Sequence, residues 1–445
     1  MFIKPDNWNE LGPDEKIQLR LDHWEDPSGI VFESPEAEAK YKERIRLFRD
    51  AYEMKNTSRV PCIPGIGGYV LRRAGISEYD ALYNKKSYVQ PVIDFNREFD
   101  PDTAILGIGL PGKILDIIDY RIYRWAGHGL PKDNAIQMVE GEYMKADEYP
   151  DLLSDPTGFW LHTYLPRVCG ACEPLAKMPN FPMLQEIVNV GGAMISLGMP
   201  DVQEMLKKLM KAGSMSVQLM TDSMKLARQL SGMGYPSAGL GGGAFCKAPF
   251  DQIGDTLRGI RGMVMDMYRQ PDNVLAACDK MLEISLRDAI KTCDTLGSPF
   301  AMFPLHKGAD GFMSQEQFIK FYWPTLKAFM EGLNEEGIIP LLFAEGSYNN
   351  RLETIADYPR ARSIWYFDRT DMRLAKEILG DVACIQGNVP ASMMQTASAD
   401  QLKAYCEELL EIFADDGGFI LANGCNIDKT TDEHVRVMIE VVRQQ

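Results

Sequence analysis

Four residues in the C-terminal part of the chain carry chemically useful side chains, and each lies at the end of an apolar, strand-like segment. His306 lies in FPLHKGADGF, Glu345 in LLFAEGSYNN and Cys425 in LANGCNID. Asp368 occupies a similar position in IWYFDRTD. An imidazole, a carboxylate and a thiolate are all zinc ligands, and a catalytic zinc needs three such ligands plus an open fourth position for substrate. These side chains would therefore suffice for a zinc site.

The spacing of these residues does not decide between a metal site and ordinary structural roles. His306 and Glu345 are 39 residues apart, and Glu345 and Cys425 are 80 apart, about one and two strand-helix units. They could meet only in a closed or strongly curved sheet. In the alternative interpretation, His306 is hydrogen-bonded in the core and Glu345 caps the following helix. Cys425 is then a small buried side chain.

The elements that must position these residues alternate between strands and helices from residue 298 to the end. A helical segment follows each of the strand-like segments PFAMFPLH, IIPLLFAEG, ARSIWYFD, VACIQGNV and FILANGC. This order favours parallel strands joined by right-handed crossovers. The upstream segments DTAILGIG, AIQMVEGEYM and PSAGLGGGAF supply up to three further strands. Eight strands would close a (β/α)8 barrel.

We predict an α/β fold: a (β/α)8 TIM barrel over residues 61–445 with an N-terminal helical extension over residues 1–60. The extension is charged, and Ser34 can cap a helix in SPEAEAKYKERIRLFRDAYEM. A doubly wound open sheet is the alternative, because the middle of the chain is harder to divide into elements. In a TIM barrel the loops that follow the strands form the active site, so the four residues would converge at one mouth.

Composition restricts the classes of partner. The formal net charge is −16, from 63 acidic and 47 basic residues, which disfavours nucleic acid and anionic membranes. A small molecule or a protein is the expected partner. The N-terminal residues do not resemble a signal peptide and no apolar run is long enough to span a membrane, so we expect a cytoplasmic location. The nine cysteines are expected to be reduced thiols or metal ligands.

Several segments resemble the uroporphyrinogen decarboxylase superfamily, which also contains methyltransferases that move methyl groups onto and off corrinoid proteins. The resemblance covers roughly residues 95–445. The segments that carry it are FNREFDPDTAI, APFDQIGDTLRGIRGMVMDMYRQPDNV, MSQEQFIKFYWPTLK followed by EEGIIPLLFAEG, and AKEILGDVACIQGNV with DDGGFILANGCNI. The decarboxylase branch carries a Met-Arg-Gln-Ala-Gly-Arg run near its N-terminus, and TSRVPCIPGIGGYVLRRAG lacks that run.

The resemblance to the methyltransferase branch implies zinc. FAEG stands where that branch has His-x-Cys-Gly, so Phe343 replaces its His and Glu345 its first Cys, whereas Cys425 matches its last Cys. His306 has no counterpart and is included for its position after a strand. We therefore predict that His306, Glu345 and Cys425 hold zinc and that the first two act in catalysis. Asp368 is the reserve ligand.

A carboxylate ligand makes zinc better suited to polarising an ether or alcohol oxygen than to holding a thiolate. We therefore predict transfer of methyl from a small O-methylated compound to the cobalt(I) corrinoid of a partner protein, as in O-demethylation. The chain has no Asp-x-His-x-x-Gly pattern, so the corrinoid would be carried by a separate protein. The side chains predicted to bind substrate are Lys307, Phe343, Tyr348, Asp368 and Asn388.

Two other functions remain alternatives. One is decarboxylation of a tetrapyrrole or another carboxylated ring. The other is a non-catalytic barrel that binds a tetrapyrrole or a corrinoid protein. The sequence also leaves open whether the chain forms a homodimer.

Overall fold

Parallel strands form the centre of the protein. The computed structural model describes residues 1–107, 111–134, 136–179, 185–238, 242–414 and 417–444. The strands in this part of the chain are β1 (Cys62–Ile63), β2 (Tyr123–Ala126), β3 (Gly129–Leu130), β4 (Ile136–Met138), β5 (Ala244–Phe245), β6 (Phe300–Leu305), β7 (Ile339–Ala344), β8 (Ile364–Phe367), β9 (Cys384–Val389) and β10 (Phe419–Asn423). Seven of them form one parallel sheet in the order β1, β10, β9, β8, β7, β6, β5.

The segment 102–105 lies between the two edge strands of this sheet. The backbone N–H of Cys62 in β1 donates to Asp102 Oδ2 at 2.9 Å. Two residues later, the N–H of Ala104 donates to the carbonyl of Pro236, which precedes β5, at 2.9 Å. The segment thus connects both edges of the curled sheet. The predicted fold class, a TIM-barrel α/β fold, is confirmed.

The helices surround this sheet or lie in the long segment before β5. The α-helices are α1 (Pro13–Glu25), α2 (Pro35–Tyr52), α3 (Gly67–Arg73), α4 (Glu78–Tyr83), α5 (Lys86–Phe99), α6 (Gly112–Ile118), α7 (Tyr149–Ser154), α8 (Pro156–Phe159), α9 (Leu165–Val168), α10 (Ile187–Met194), α11 (Pro200–Gly232), α12 (Pro249–Thr256), α13 (Gly259–Arg269), α14 (Pro271–Leu296), α15 (Gln315–Gln317), α16 (Trp323–Glu335), α17 (Leu352–Ile355), α18 (Met372–Leu379), α19 (Ala391–Thr396), α20 (Ala399–Ile412) and α21 (Asp432–Val441). Short 3-10 helices span Trp8–Glu10, Gly170–Lys177, Ile195–Gly198 and Asn349–Arg351, and π-helical turns span Trp160–Tyr164 and Phe318–Tyr322. None of the described helices is both long and apolar enough to cross a bilayer.

The strand and helix predictions for the C-terminal part are confirmed, whereas those upstream hold only in part. All five strands predicted after residue 298 are present as β6 to β10, each followed by a helix. The assignment of AIQMVEGEYM to the barrel was wrong, because β4 pairs antiparallel with β2 in a separate three-stranded sheet. Its residues are largely exposed, whereas a central parallel strand is buried on both faces.

The other two upstream segments that were predicted as strands contain little β-structure. DTAILGIG contains no strand in its described part, residues 102–107, and residues 108–109 lie outside the described residues. PSAGLGGGAF contributes only β5, and its residues 239–241 also lie outside the described part of the chain. Both segments are rich in glycine, which weakens strand formation.

Helices α1 and α2 close the amino end of the barrel. Ser34 caps α2, accepting the N–H of Ala37 at 3.2 Å, as predicted. Leu21 of α1 and Phe48 of α2 are fully buried in one apolar cluster with the first residues of β6, β7, β8 and β9. The helices therefore contribute to the barrel core. The division of the chain at residue 60 stays a prediction.

We expect Leu21→Ala to lower the free energy of unfolding by about 3 kcal/mol, because the substitution leaves a cavity in this cluster. Leu19→Ala is a matched control on the same helix, since Leu19 is exposed, and it should change the stability by less than about 1 kcal/mol. Urea unfolding followed by circular dichroism measures both values. Equal effects of the two substitutions would contradict this role of α1.

Candidate functional site

Residues that follow adjacent strands lie side by side at the carboxyl end of the barrel. Leu305 of β6 is in register with Ala344 of β7, and Ala344 is in register with Phe367 of β8. The residues that come next in the chain are His306, Glu345 and Asp368. Since carboxyl ends of parallel strands meet at one edge, these three residues share the mouth, as predicted for a barrel.

Helix α12 fixes the end of β6 through Asp251. This carboxylate is fully buried, and it accepts the backbone N–H groups of His306 at 3.0 Å and Lys307 at 2.9 Å. The hydroxyl of Tyr322 donates to the same carboxylate at 2.7 Å. Burial and the neighbouring charge of Asp255 raise the pKa of Asp251. The hydrogen bonds satisfy a polar group that burial would otherwise penalise.

Asp255, one helical turn later, connects three cationic side chains. Its Oδ2 lies 2.6 Å from His306 Nδ1 and 2.7 Å from Lys247 Nζ, and its Oδ1 contacts Lys307 Nζ. Lys307 is buried, and a Cβ at Gly254 would approach its Cδ to 2.7 Å, so a larger residue at this position would displace the lysine side chain. These contacts fix the orientation of the imidazole.

The network has opposite effects on the pKa values of its two central groups. Burial alone raises the pKa of Asp255, but the His306 hydrogen bond and the charges of Lys247 and Lys307 hold it well below its usual range. Burial lowers the pKa of His306, but the hydrogen bond to Asp255 and the nearby carboxylate of Glu345 outweigh burial and raise it to about 10. Without a bound metal, His306 is therefore a cation at neutral pH.

Three acidic groups lie beyond the imidazole. Glu345 Oε1 is 3.6 Å from His306 Nε2, and its side chain is 44% exposed. Asp368 accepts the N–H of Gly346 at 3.0 Å, and burial and the charge of Glu345 raise its pKa. Burial, followed by the charges of Asp368 and Glu345, raises the pKa of the Cys425 thiol. The repulsion among these groups would favour a cation between them.

The donor set suits zinc chemically, although it is not assembled as a closed ligand cage. Nitrogen, carboxylate oxygen and sulfur donors from His306, Glu345 and Cys425 are the types that zinc binds. Among the described residues, however, no group of three or more His, Cys, Asp or Glu side chains is positioned to hold a metal ion. The zinc ligands therefore stay a prediction.

Aromatic side chains lie just below this mouth, inside the barrel. Phe343 of β7 stacks on Tyr366 of β8, with ring centroids 4.4 Å apart and planes at 19°. Tyr366 is anchored by its hydroxyl, which donates to the carbonyl of Asn423 at 2.6 Å. The pair forms a flat apolar surface, and such faces favour the stacking of another ring.

Gln386 lies next to this aromatic pair. It is in register with Tyr366, and on β9 it alternates with Cys384, whose side chain lies in the interior cluster. Its side chain is fully buried, and neither amide atom has a hydrogen-bond partner among the described residues. A buried amide without partners costs free energy unless a ligand or water satisfies it.

Two further residues predicted to bind substrate, Tyr348 and Asn388, form hydrogen bonds within the protein. Tyr348 is fully buried, and its hydroxyl donates to the carbonyl of Leu305 at 3.2 Å. Asn388 donates to the carbonyl of Thr370 at 2.7 Å and accepts the hydroxyl of Tyr405 at 3.2 Å. Through these hydrogen bonds, both side chains stabilise the backbone near the ends of the strands. Their roles in substrate binding stay predictions.

Four residues of the site were not predicted from the sequence: Asp251, Asp255, Lys247 and Gln386. A detectable signal existed for the first two, because APFDQIGD places two acidic residues four apart, on one face of a largely apolar helix. No comparable signal marks Gln386. Its burial in the barrel follows from the pairing of β9 with β8.

We expect the metal-free protein to lose stability between pH 6.5 and pH 10. A pKa of about 10 for folded His306 means that its charge stabilises the fold fully below the ordinary value of 6.5, and that this contribution is lost as the pH rises towards 10. Because the pKa of Asp255 is lowered in the folded protein, its charge stabilises the fold at every pH above its ordinary pKa. This contribution therefore does not change between pH 6.5 and pH 10. His306→Asn should reduce the decline by about 1–3 kcal/mol, the range for a hydrogen bond to a charged group with some solvent screening.

Urea unfolding with a chelator, at several pH values, measures this difference. His128→Asn is the control, because His128 is an exposed histidine outside the site. Equal declines in the wild type and His306→Asn would contradict the charged state of His306.

Comparisons with known proteins agree with the barrel. No curated protein is significantly similar to the chain in sequence. A solved structure of a methyltransferase from Methanosarcina mazei superposes with a TM-score of 0.57, covering 90% of this chain and 98% of that chain at 16% identity. At this identity the similarity shows the fold alone. The family model for uroporphyrinogen decarboxylase (URO-D) matches residues 194–445, more than half of the chain. The protein therefore belongs to the URO-D family.

Proposed function

We propose that this protein is a methyltransferase that moves a methyl group from a small O-methylated compound to the cobalt(I) corrinoid of a partner protein. The observation that carries the proposal is the group of His306, Glu345, Asp368 and Cys425 at the barrel mouth, above an aromatic surface. It is rich in metal-ligand donors and anionic, so it suits a neutral substrate better than a polycarboxylate. The name of the structural neighbour is consistent with this choice.

Two of the three arginines in the segment TSRVPCIPGIGGYVLRRAG are paired with acidic side chains, whereas Arg72 donates to the backbone carbonyl of Asp133 at 3.2 Å. Arg59 pairs with Asp102 at 2.7 Å. Arg73 pairs with Glu98 and Asp432, both at 2.8 Å. Recognition of several carboxylates needs cations that face the substrate, and these guanidinium groups are already neutralised by acidic side chains. Their pairing supports methyl transfer over decarboxylation of a tetrapyrrole.

In this proposal His306, Glu345 and Cys425 would hold a zinc ion, which would act as a Lewis acid towards the leaving oxygen of the substrate. Other residues of the protein orient these ligands. Asp255 holds Nδ1 of His306 and leaves Nε2 directed towards Glu345. The half-exposed carboxylate of Glu345 remains accessible from the mouth.

The barrel interior would orient an aromatic methyl ether. The stacked pair Phe343 and Tyr366 would pack against the ring, and the amide of Gln386 would hydrogen-bond to a polar substituent. The corrinoid, as the methyl acceptor, would supply the electron pair for the new bond to the methyl carbon. The electron pair of the broken carbon–oxygen bond would stay on oxygen, which would leave as a phenol or alcohol after taking up a proton from water.

We expect the purified protein to methylate a reduced corrinoid protein when supplied with methoxylated aromatic compounds. Glu345→Gln should lower the rate by about 100-fold or more, because it removes a charged group at the reacting centre. Glu353→Gln, an exposed substitution on α17, should leave the rate unchanged. The absorbance change from cobalt(I) to methylated cobalt(III) follows the reaction. Conversion of uroporphyrinogen with no methyl transfer would instead establish the decarboxylase, and binding without either reaction would establish the carrier.

We expect about one zinc per chain in the purified protein, and its loss in Glu345→Ala and in Cys425→Ala, since a catalytic zinc uses three protein ligands. Cys406→Ala is a matched control, because Cys406 is buried in the middle of α20, in the larger apolar cluster and not at a strand end. Elemental analysis before and after reconstitution with zinc measures the content. A wild-type protein that takes up no zinc would remove the metal from the proposal.

A further inference from the structure

Helix α11 carries an exposed apolar stripe that nothing in the described chain covers. Among the residues that the structure describes, 11 of the 22 exposed large apolar side chains lie between residues 187 and 224. On α11 the stripe consists of Leu206, Met210, Val217, Met220 and Met224, with Gly213 in line, and Met210 is 73% exposed. Spacings of 4, 3, 4, 3 and 4 residues are those of a seam that packs against another helix. The stripe is about 27 Å long at 1.5 Å per residue.

The stripe is symmetric about residue 215. In an antiparallel pair of two α11 helices related by a two-fold axis at this point, Leu206 meets the partner subunit's Met224. Met210 meets the partner subunit's Met220, and Gly213 meets the partner subunit's Val217. Every position of the stripe thus has a counterpart in the same stripe, which is the requirement for an isologous interface.

No contact in the described part of the chain requires the glycine at the centre of the stripe. A Cβ at Gly213 would meet no described atom within 4 Å, so these contacts would tolerate a larger residue there. Glycine inside a helix costs about 1 kcal/mol relative to alanine. Close approach of a second helix, with Val217 filling the space above the glycine, accounts for this residue.

The polar residues beside the stripe are compatible with burial. Ser214 donates to the carbonyl of Met210 at 3.0 Å, and Ser216 donates to the carbonyl of Ala212 at 3.0 Å. Thr221 donates in the same way to Val217 at 2.9 Å. These hydroxyls need no water, so covering them leaves no unsatisfied donor.

The charges next to the stripe also permit self-association. Among the positions that flank it on either side, residues 207, 209, 214, 216, 221 and 223, only Lys207 is charged. Lys208 and Asp222 lie on the side of the helix that faces away from the seam, so they form no pair across it. Since the other flanking residues are uncharged, no like charges face each other across the seam.

We propose that the stripe on α11 is the interface of a homodimer in which the two α11 helices pack antiparallel about residue 215. This assembly is independent of the reaction proposed above. In this dimer the exposed methionines of one subunit pack against those of the other, and their flexible side chains can adapt to one another.

The first test is the mass of the full chain in solution, by light scattering or sedimentation at micromolar concentration. We expect twice the chain mass of 50.1 kDa for the wild type. Met210→Asp combined with Met220→Asp should halve it, because the two substitutions face each other across the seam. Met265→Asp, at an exposed methionine on α13, is the control and should remain dimeric. A monomeric wild type, or a dimer in the double variant, would overturn the proposal.

A second test examines the register and does not depend on disrupting the helix. Protein with Met210→Cys mixed with protein with Met220→Cys should form a disulfide-linked dimer under a mild thiol oxidant. Each protein oxidised alone should give no more cross-linking than the wild type. Linking within each separate protein would indicate parallel packing and overturn the antiparallel model. A wild type that is monomeric alone but binds the corrinoid protein through this stripe would assign the surface to that partner instead.

Discussion

Two carboxylates on one face of helix α12 hold the end of strand β6, and the geometry of the candidate site depends on them. Asp251 can be fully buried because two backbone N–H groups and the hydroxyl of Tyr322 satisfy its oxygens. Asp255 remains charged beside it because Lys247, Lys307 and His306 surround it. Removing either carboxylate would leave several buried polar or charged groups without partners, which is far costlier than losing one surface ion pair.

This network supplies cationic charge on one side of the mouth and leaves acidic charge on the other. His306 lies at the boundary, with Asp255 at one ring nitrogen and Glu345 at the other. Beyond it, the pKa values of Asp368 and Cys425 are raised partly by the charge of Glu345. A site with this asymmetry suits polarisation of an oxygen, because charge that develops on a leaving oxygen meets fixed or bound cations. The family alone would not distinguish this chemistry from decarboxylation, since function depends on the site and one fold hosts many reactions.

Two regions lie outside the barrel strands, the N-terminal helices and the long segment before β5, and they pack against the barrel in different ways. Helices α1 and α2 share a core with the first residues of the central strands, so the amino end of the barrel is sealed by chain that precedes β1. The long segment before β5 instead carries a separate small sheet and ends in α11, whose apolar stripe stays exposed. An apolar surface of this kind on an otherwise acidic protein indicates an interaction site rather than an ordinary surface.

The sequence by itself determined the strand and helix order after residue 298, because each buried parallel strand is a continuous apolar run and each helix has an amphipathic repeat with a polar cap. It also determined that His306, Glu345 and Asp368 follow adjacent strands. Only the tertiary structure decided which side chains reach the mouth. It directs Tyr348 and Asn388 to neighbouring backbone, brings Asp255 to His306 from 51 residues away, and places Gln386 beside Tyr366. Such contacts depend on strand register and helix packing between distant segments, which local sequence patterns do not encode. The upstream strands were predicted only in part, because glycine-rich segments pair through the geometry of their neighbours rather than through their own hydrophobic pattern.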